Sequence, residues 1–295
     1  MLKEVPIMLY SLEFYEDVHR FYNHTKEFLL ANELENVLLF SILNSLKKDF
    51  HCYGEEDPLL ISIESKGNLS LVALQTPPHN LVLSFTEDIK TIPFLAEELL
   101  SEDYSFPGVL GFKEGAEKFA HLWGSEKALN SEIQMLQRIH KLETVNSDTL
   151  SGNKFYAADP SHENIILKWA KEFIYEAMPE ESEHLSKTLE RTKQNISNGE
   201  IYLLKDNEQI VSMARMAGET PNGRLVNLVF TPPELRGNGY ATQCVAHLSQ
   251  LILDKGYNYS ALFTDLSNPV SNKIYYKIGY RPVIDFNMYR FNQPR

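Results

Sequence analysis

The chain has 295 residues, which at roughly 100 to 200 per domain points to two domains. With 43% hydrophobic residues, 23% charged residues, 14 Gly and 14 Pro, it has an ordinary folded composition, not that of a disordered, collagenous or coiled-coil chain. Its 28 basic and 40 acidic side chains, a balance of −12, argue against a sequence-independent nucleic-acid binder, which needs clustered cations.

No window approaches the roughly 18 uninterrupted apolar residues of a membrane span, and Met1 to Pro6 lack the basic-then-apolar layout of a secretion signal. The expectation is a cytoplasmic protein with no membrane partner. Cys52 and Cys244 lie in different halves without a CxxC pattern, so both are expected to be buried thiols. The nine histidines show no HxxxH or HxH spacing, so no metal is expected. The acidic excess lies wholly in residues 1–152, with 12 basic and 24 acidic groups, whereas 153–295 hold 16 of each. Residues 224–295 carry 8 basic and 4 acidic groups, a surplus suited to a polyanionic small ligand.

In chain order, apolar residues at three- and four-residue spacing predict helices over Phe14 to Leu29 and Leu34 to Leu46. Strands follow at Leu59 to Glu64, Leu69 to Gln75 and Leu81 to Phe85. A helix from Ile89 to Leu100, a strand Val109 to Phe112, a helix through Ala116 and Trp123, and a helical run Glu132 to His140 come next. The polar stretch Asn146 to Asn153 reads as a linker. Asp159-Pro160 predicts a helix start, with Ile165, Ile166, Trp169, Phe173 and Ala177 on its apolar face. Then come a charged helix around Leu185 to Ile196 and strands Ile201 to Leu204, Ile210 to Ala217 and Leu225 to Thr231. A helix Tyr240 to Lys255, a strand Tyr259 to Thr264, a helix Val270 to Lys277, and strands Arg281 to Phe286 and Met288 to Phe291 complete the chain. The element order repeats between the halves, and Thr76-Pro77 matches Thr220-Pro221, which reads as a diverged internal duplication.

The segment Val229 to Thr242 carries the functional signal. A strand ends at Pro232-Pro233, which cannot continue a central ladder, and Arg236-Gly237-Asn238-Gly239 opens a helix. A helix N-terminus offers unpaired N–H groups and about half a positive charge, and glycines let a ligand approach the backbone closely. A pyrophosphate fits that description. A turn using glycine only for tight geometry is the bland alternative.

Taken with Asn268-Pro269 and Ile274-Tyr275-Tyr276-Lys277-Ile278-Gly279-Tyr280 downstream, Pro-Glu-Leu-Arg-Gly-x-Gly-x-Ala resembles the GNAT superfamily of acyl-CoA-dependent N-acetyltransferases over residues 153–295. The resemblance implies an α/β (α+β) fold of two GNAT-like domains, each a bent mixed β-sheet flanked by helices. The expected extents are 1–145, degenerate and without the pyrophosphate loop, and 153–295, the acetyltransferase. It implies acetyl-CoA as cosubstrate, with Val229, Phe230 and Thr231 facing the pantetheine arm. Arg236, Gly237, Asn238, Gly239, Tyr240, Ala241 and Thr242 are implied to hold the pyrophosphate and Asn268 to contact the cofactor. Tyr275, rather than Tyr276, is implied to protonate the leaving thiolate.

Many relatives place a glutamate on the fourth strand as base; here Asn227 stands there, which leaves the base open among Glu219, Glu163, His162 and an ordered water. Asp265 reads as a turn cap. In the first half Thr86-Glu87-Asp88-Ile89-Lys90 replaces the glycine loop, and two acids there would repel a polyanion. The expected acceptor is a small-molecule or peptide amine. The alternative is a non-catalytic acyl-CoA-binding module acting through a protein partner; an aminoacyl-transfer enzyme is disfavoured because an RNA-borne substrate needs a basic surface.

Overall fold

A computed structural model describes residues 10–150, 152–178, 182 and 185–294. The Met1 to Pro6 start and Ser151 of the expected linker lie outside the described residues. By its contacts the chain divides into two units, one running to Ile139 and including residues 265–267 and 283–295, the other comprising residues 140–264 and 268–282. The polar stretch expected as a linker falls inside the second unit. There Asn146 caps a short 3-10 turn at Ser147–Thr149 and donates from its backbone to the Ile278 carbonyl at 2.7 Å. The last residues of the chain fall to the first unit rather than to the domain expected over 153–295.

The first unit holds β1 (Tyr10–Tyr15), α1 (Val18–Ala31), α2 (Val37–Leu46), β2 (Leu59–Ser65), β3 (Asn68–Gln75), β4 (Leu81–Leu83), α3 (Thr91–Ser101), β5 (Gly108–Phe112), α4 (Lys113–Glu126) and β6 (Asn130–Leu142). Phe14, expected on the first helix, lies on β1. Asp17 starts the helix after it by accepting the His19 and Arg20 N–H groups at 2.7 and 3.0 Å. The run Glu132 to His140, expected as a helix, belongs to β6. Its three-residue apolar spacing misleads because Ile133 and Leu136 are both exposed and mark no buried helical stripe. The sheet runs β1-β2-β3-β4-β5-β12-β6, where β12 (Arg281–Asn292) is one strand in place of the two expected at the C-terminus. It pairs antiparallel with β5 from Phe286↔Phe112 to Arg290↔Gly108. Trp123 is 1% exposed and stacks on Phe119, so it belongs to this unit's core and lines no cleft.

The second unit's sheet runs β11-β10-β9-β8-β7. Its strands are β7 (Lys154–Ala157), which sequence periodicity is too short to reveal, β8 (Ile201–Asp206), β9 (Gln209–Glu219), β10 (Gly223–Phe230) and β11 (Tyr259–Asp265). Side chains alternate across the strands. Ile201, Leu203, Met213 and Phe230 pack with Trp169 of α5 (Glu163–Ala177) and Ile196 of α6 (Leu185–Ser197). Tyr202, Leu204, Met216 and Val226 pack with Cys244, Val245 and Leu248 of α7 (Tyr240–Asp254) and Ile278 of α8 (Pro269–Ile278). Cys244 is buried, as expected, whereas Cys52 is exposed, contrary to expectation, because it sits on the turn following α2 and not within the apolar stripe.

Candidate functional site

Two strands part in the second unit's sheet, β10 and its neighbour β11. β10 and β11 run parallel and pair at Gly223↔Tyr259, Arg224↔Ser260 and Leu225↔Ala261; no pair follows, although β10 continues to Phe230 and β11 to Asp265. On its other side β10 pairs with β9 through Asn227↔Arg215, then skips to Phe230↔Met213. Leu228 and Val229 fall in that bulge, and Leu228 takes a left-handed φ of 47°. A non-glycine residue there costs on the order of 1 to 3 kcal/mol, so the surrounding packing enforces the bend. Val229 has no ladder partner on either side. Phe230 and Thr231 do not share that freedom: the Phe230 carbonyl accepts from the Ser212 hydroxyl at 3.1 Å and the Thr231 carbonyl from Arg236 Nε at 2.9 Å.

The chain then turns at Pro232 and enters α7. Gly237 and Gly239 both have left-handed backbones, φ 82° and 79°, and Gly239 is the residue before the first helical turn. A Cβ built at Gly237 would meet nothing within 4 Å, and at Gly239 only the Gln243 amide at 3.8 Å, so both face open space. No side chain caps α7 and no acidic residue lies in its first turn. The first intrahelical bond runs from Gln243 N–H to the Gly239 carbonyl, so Tyr240, Ala241 and Thr242 lead with N–H groups that an intrahelical acceptor cannot reach. An anion is favoured there. The Asn238 side chain bridges the Leu235 and Arg236 carbonyls at 3.1 and 3.4 Å and holds the loop's shape. The Tyr240 hydroxyl donates to Asp206 at 2.6 Å, which raises its pKa.

The Arg236 side chain turns away from that face and makes a two-pronged ion pair with Glu176 of α5. Beside it opens a cleft of about 500 Å³ walled by Trp169, Tyr175 and Phe230 and carrying Glu172, Glu176 and Glu234. Lys168 also lines it and pairs with Glu172 at 3.9 Å, as Arg236 does with Glu176. No local sequence pattern points to this cleft.

On the α7 and α8 side of the sheet, Tyr275 is half-buried, packs on the core and meets Tyr280 edge-on at 6.0 Å. Burial drives its pKa well above the ordinary 10, with the Tyr280 hydroxyl adding to the rise. Tyr280 is anchored by Ser249 and Ser260, each at 2.7 Å, and burial pushes it up to about 12. Tyr276, by contrast, is 59% exposed with the Arg281 guanidinium 4.1 Å over its ring. Asn268 is exposed just before α8, where its carbonyl accepts from Asn272.

The candidate bases are scattered. Glu219 ends β9 opposite the start of β10, away from the opened end, paired with Arg224 at 3.0 Å. His162 pairs with Asp159 at the start of α5. Asp265 accepts the Ser267 N–H at 2.7 Å, the turn cap that its position predicts. Asn227 is exposed although it sits on a central strand. Among the described residues, no three His, Cys, Asp or Glu side chains group as a metal site, and no helix is long and apolar enough to cross a membrane.

In the first unit the corresponding pair has a shorter ladder, and side chains fill the space past it. β4 and β5 run parallel at Leu81↔Val109 and Val82↔Leu110. Past them the Phe85 and Phe112 rings meet at 5.4 Å, and the Phe85 N–H donates to the Asn36 side chain at 2.8 Å.

Residues 166–280 match the model of the Acetyltransferase (GNAT) family, so this stretch is a GNAT acetyltransferase domain. No curated protein matches the sequence. Among solved structures, a Drosophila protein aligns over 96% of this chain and 99% of its own at 10% identity, TM-score 0.66. A GCN5-related N-acetyltransferase from Sphaerobacter thermophilus aligns over 96% and 95% at 12% identity, TM-score 0.58. A tandem GNAT protein from the clavulanic acid biosynthesis pathway aligns over 95% and 98% at 10% identity, TM-score 0.54. At these identities the likeness is one of fold, and it extends over nearly the whole chain, consistent with two GNAT-like domains.

Proposed function

We propose that the chain is an N-acetyltransferase that uses acetyl-CoA to acetylate a primary amine. The observation that carries this reading is the junction of a strand end that has left its β11 neighbour after Leu225, with Val229 unpaired on both sides, and an uncapped helix N-terminus flanked by Gly237 and Gly239. Acetyl-CoA would supply the acetyl group as a thioester. The N–H groups of Gly237 through Thr242 would hold its diphosphate, and the backbone at Val229 would meet the pantetheine amides, with Asn268 contributing at the start of α8.

Tyr275 is the proton donor in this reading. Its raised pKa keeps the hydroxyl protonated at neutral pH, so it can donate and cannot act as a base. A phenol harder to ionise is a weaker acid, but desolvation raises the proton affinity of any neighbouring thiolate as well. The buried Cys244 thiol of the same domain, pushed up to about 12, illustrates that effect.

Asn227 in place of a strand carboxylate supports a second reading, a module that binds an acyl-CoA without turnover. Calorimetry with coenzyme A and thioester consumption over an amine panel separate the two. Tyr275→Phe should lower kcat by about 10² to 10⁴ with coenzyme A affinity kept, while Tyr276→Phe leaves kcat unchanged. Equal effects of the two variants would remove Tyr275 from the chemistry. Gly239→Glu should abolish coenzyme A binding, and unchanged affinity would remove the loop.

A further inference from the structure

On the face of β10 opposite Tyr275 lies a polar group that the diphosphate loop and the proton donor leave unused. Val226 packs in the core that Tyr275 joins, so Asn227, next along the strand, projects to the other face. It stands two residues beyond the last β10–β11 pair, at the edge of the opened gap, and is exposed. Directly opposite on β9 is Arg215. Its Nε and Nη2 both donate to one oxygen of Glu200, Oε2, at 3.1 and 2.7 Å. Neither Arg215 Nη1 nor Glu200 Oε1 has a partner among the described residues, and the two side chains are 22% and 27% exposed. The cluster therefore presents, side by side, one free cationic edge and one free anionic edge, with the Asn227 amide beside them able to serve either.

We propose that Arg215, Glu200 and Asn227 seat the acceptor, and that the acceptor is a free amino acid. This rests on the acetyl-transfer reading above. A partly buried ion pair is neutral as a unit, and a ligand with a single charge would leave one of its edges facing an unmatched charge, which is costly away from water. A ligand that is itself an ion pair matches both. Its carboxylate meets Arg215 Nη1 and its ammonium meets Glu200 Oε1, on the face of the sheet opposite the proton donor, with Asn227 standing between this pair and the gap.

The ammonium gives one proton through Glu200 to solvent, and the free amine forms the N–C bond as the C–S bond breaks with its electron pair going to sulfur. Tyr275 protonates the sulfur and is reprotonated by the second amine proton. The products are the N-acetyl amino acid, the free thiol and one proton in solution.

The test is acetyl-CoA-dependent thiol release with L-amino acids and, pair by pair, their primary amides, which keep the amine and lose the carboxylate. At least one acid should exceed its amide by about tenfold or more in kcat/KM, the scale of one charge-assisted hydrogen bond. Arg215→Gln should bring that ratio towards one. Asn227→Ala, an exposed change that keeps the fold and removes the amide, should raise the KM of the acid several-fold without changing the KM of acetyl-CoA. Amides that match or exceed the acids in every pair overturn the proposal and leave acetyl transfer standing. Tight acetyl-CoA binding with no transfer to any acid or amide overturns both the seat and the transferase reading. Failure to bind acetyl-CoA at all removes the cofactor site on which they depend.

Discussion

Arg236 ties the loop before α7 to the end of α5. Its Nη1 and Nη2 donate to the two oxygens of Glu176 at 2.8 and 2.7 Å, while its Nε holds the Thr231 carbonyl where β10 ends. One guanidinium thus joins a helix, a strand end and the glycine arm. The pair is half exposed, so its contribution to global stability should be under about 1 kcal/mol. Its effect should fall on the shape of the loop.

Glu176→Gln is accordingly expected to move the melting temperature by no more than about 2 to 4 °C while weakening coenzyme A binding several-fold, an effect seen by calorimetry at low salt. Glu176→Asp, which keeps the charge on a shorter arm, should recover part of the affinity. Tighter binding by Glu176→Gln would mean that the carboxylate competes with the ligand for Arg236 and does not brace the loop.

Asn36 should be among the most sensitive polar positions of the first unit. It is 1% exposed, accepts from Phe85 N–H at 2.8 Å and donates to the Leu29 carbonyl at 3.2 Å, joining α1 to the end of β4. Asn36→Ala leaves a buried N–H and a buried C=O unpaired, a cost of about 2 to 4 kcal/mol at 1 to 3 per group. Asn36→Asp keeps an acceptor for the N–H but sets a buried carboxylate against the Leu29 carbonyl, so at neutral pH it should cost at least as much as Asn36→Ala. Urea denaturation of the full chain measures both, and a loss below about 0.5 kcal/mol for Asn36→Ala would show that the contact carries little weight.

The contrast between Gly239 and Asn36 shows what a sequence discloses. The glycine loop is legible because its signal is local: two glycines, a proline-stopped strand and an apolar helix lie within about 20 residues, and each constrains the backbone by its own sterics. The contact that holds the chain after β4 is made by Asn36 with Phe85, 49 positions away, and no local pattern encodes that. The same holds for Glu176 and Arg236, 60 positions apart, and for β12, whose partner β5 lies more than 170 residues upstream. Phe14 keeps the helical spacing by coincidence, so spacing alone starts α1 too early, and the capping role of Asp17 sets the boundary. Asn227 could be seen as a missing carboxylate, but nothing in the sequence pairs it with Arg215 and Glu200.

Stability should fall on the alkaline side before it does so for a protein with exposed thiols and phenols. Burial pushes Cys244 up to about 12 from its ordinary 9.0, and Tyr280 up to about 12 from 10.0, with Tyr275 shifted in the same direction. Each group keeps its proton in the folded state at pH values where the unfolded chain has released it. The unfolded state then binds fewer protons, and the unfolding free energy declines as pH rises. The decline begins near pH 9 with the thiol, steepens near 10 with the phenols and ends as the folded groups themselves ionise around 12. Each group fully in its window contributes a slope of up to about 1.4 kcal/mol per pH unit. Denaturation midpoints between pH 7 and 11 should trace this fall. Cys244→Ala should flatten the portion between pH 9 and 10, although the variant starts less stable through the cavity it leaves. Tyr280→Phe should flatten only the portion above 10, and it also unpairs Ser249 and Ser260. If the wild-type midpoint stayed level to pH 11, these hydroxyls and the thiol would have to reach solvent in the folded state, and the argument from desolvation for Tyr275 would fail with them.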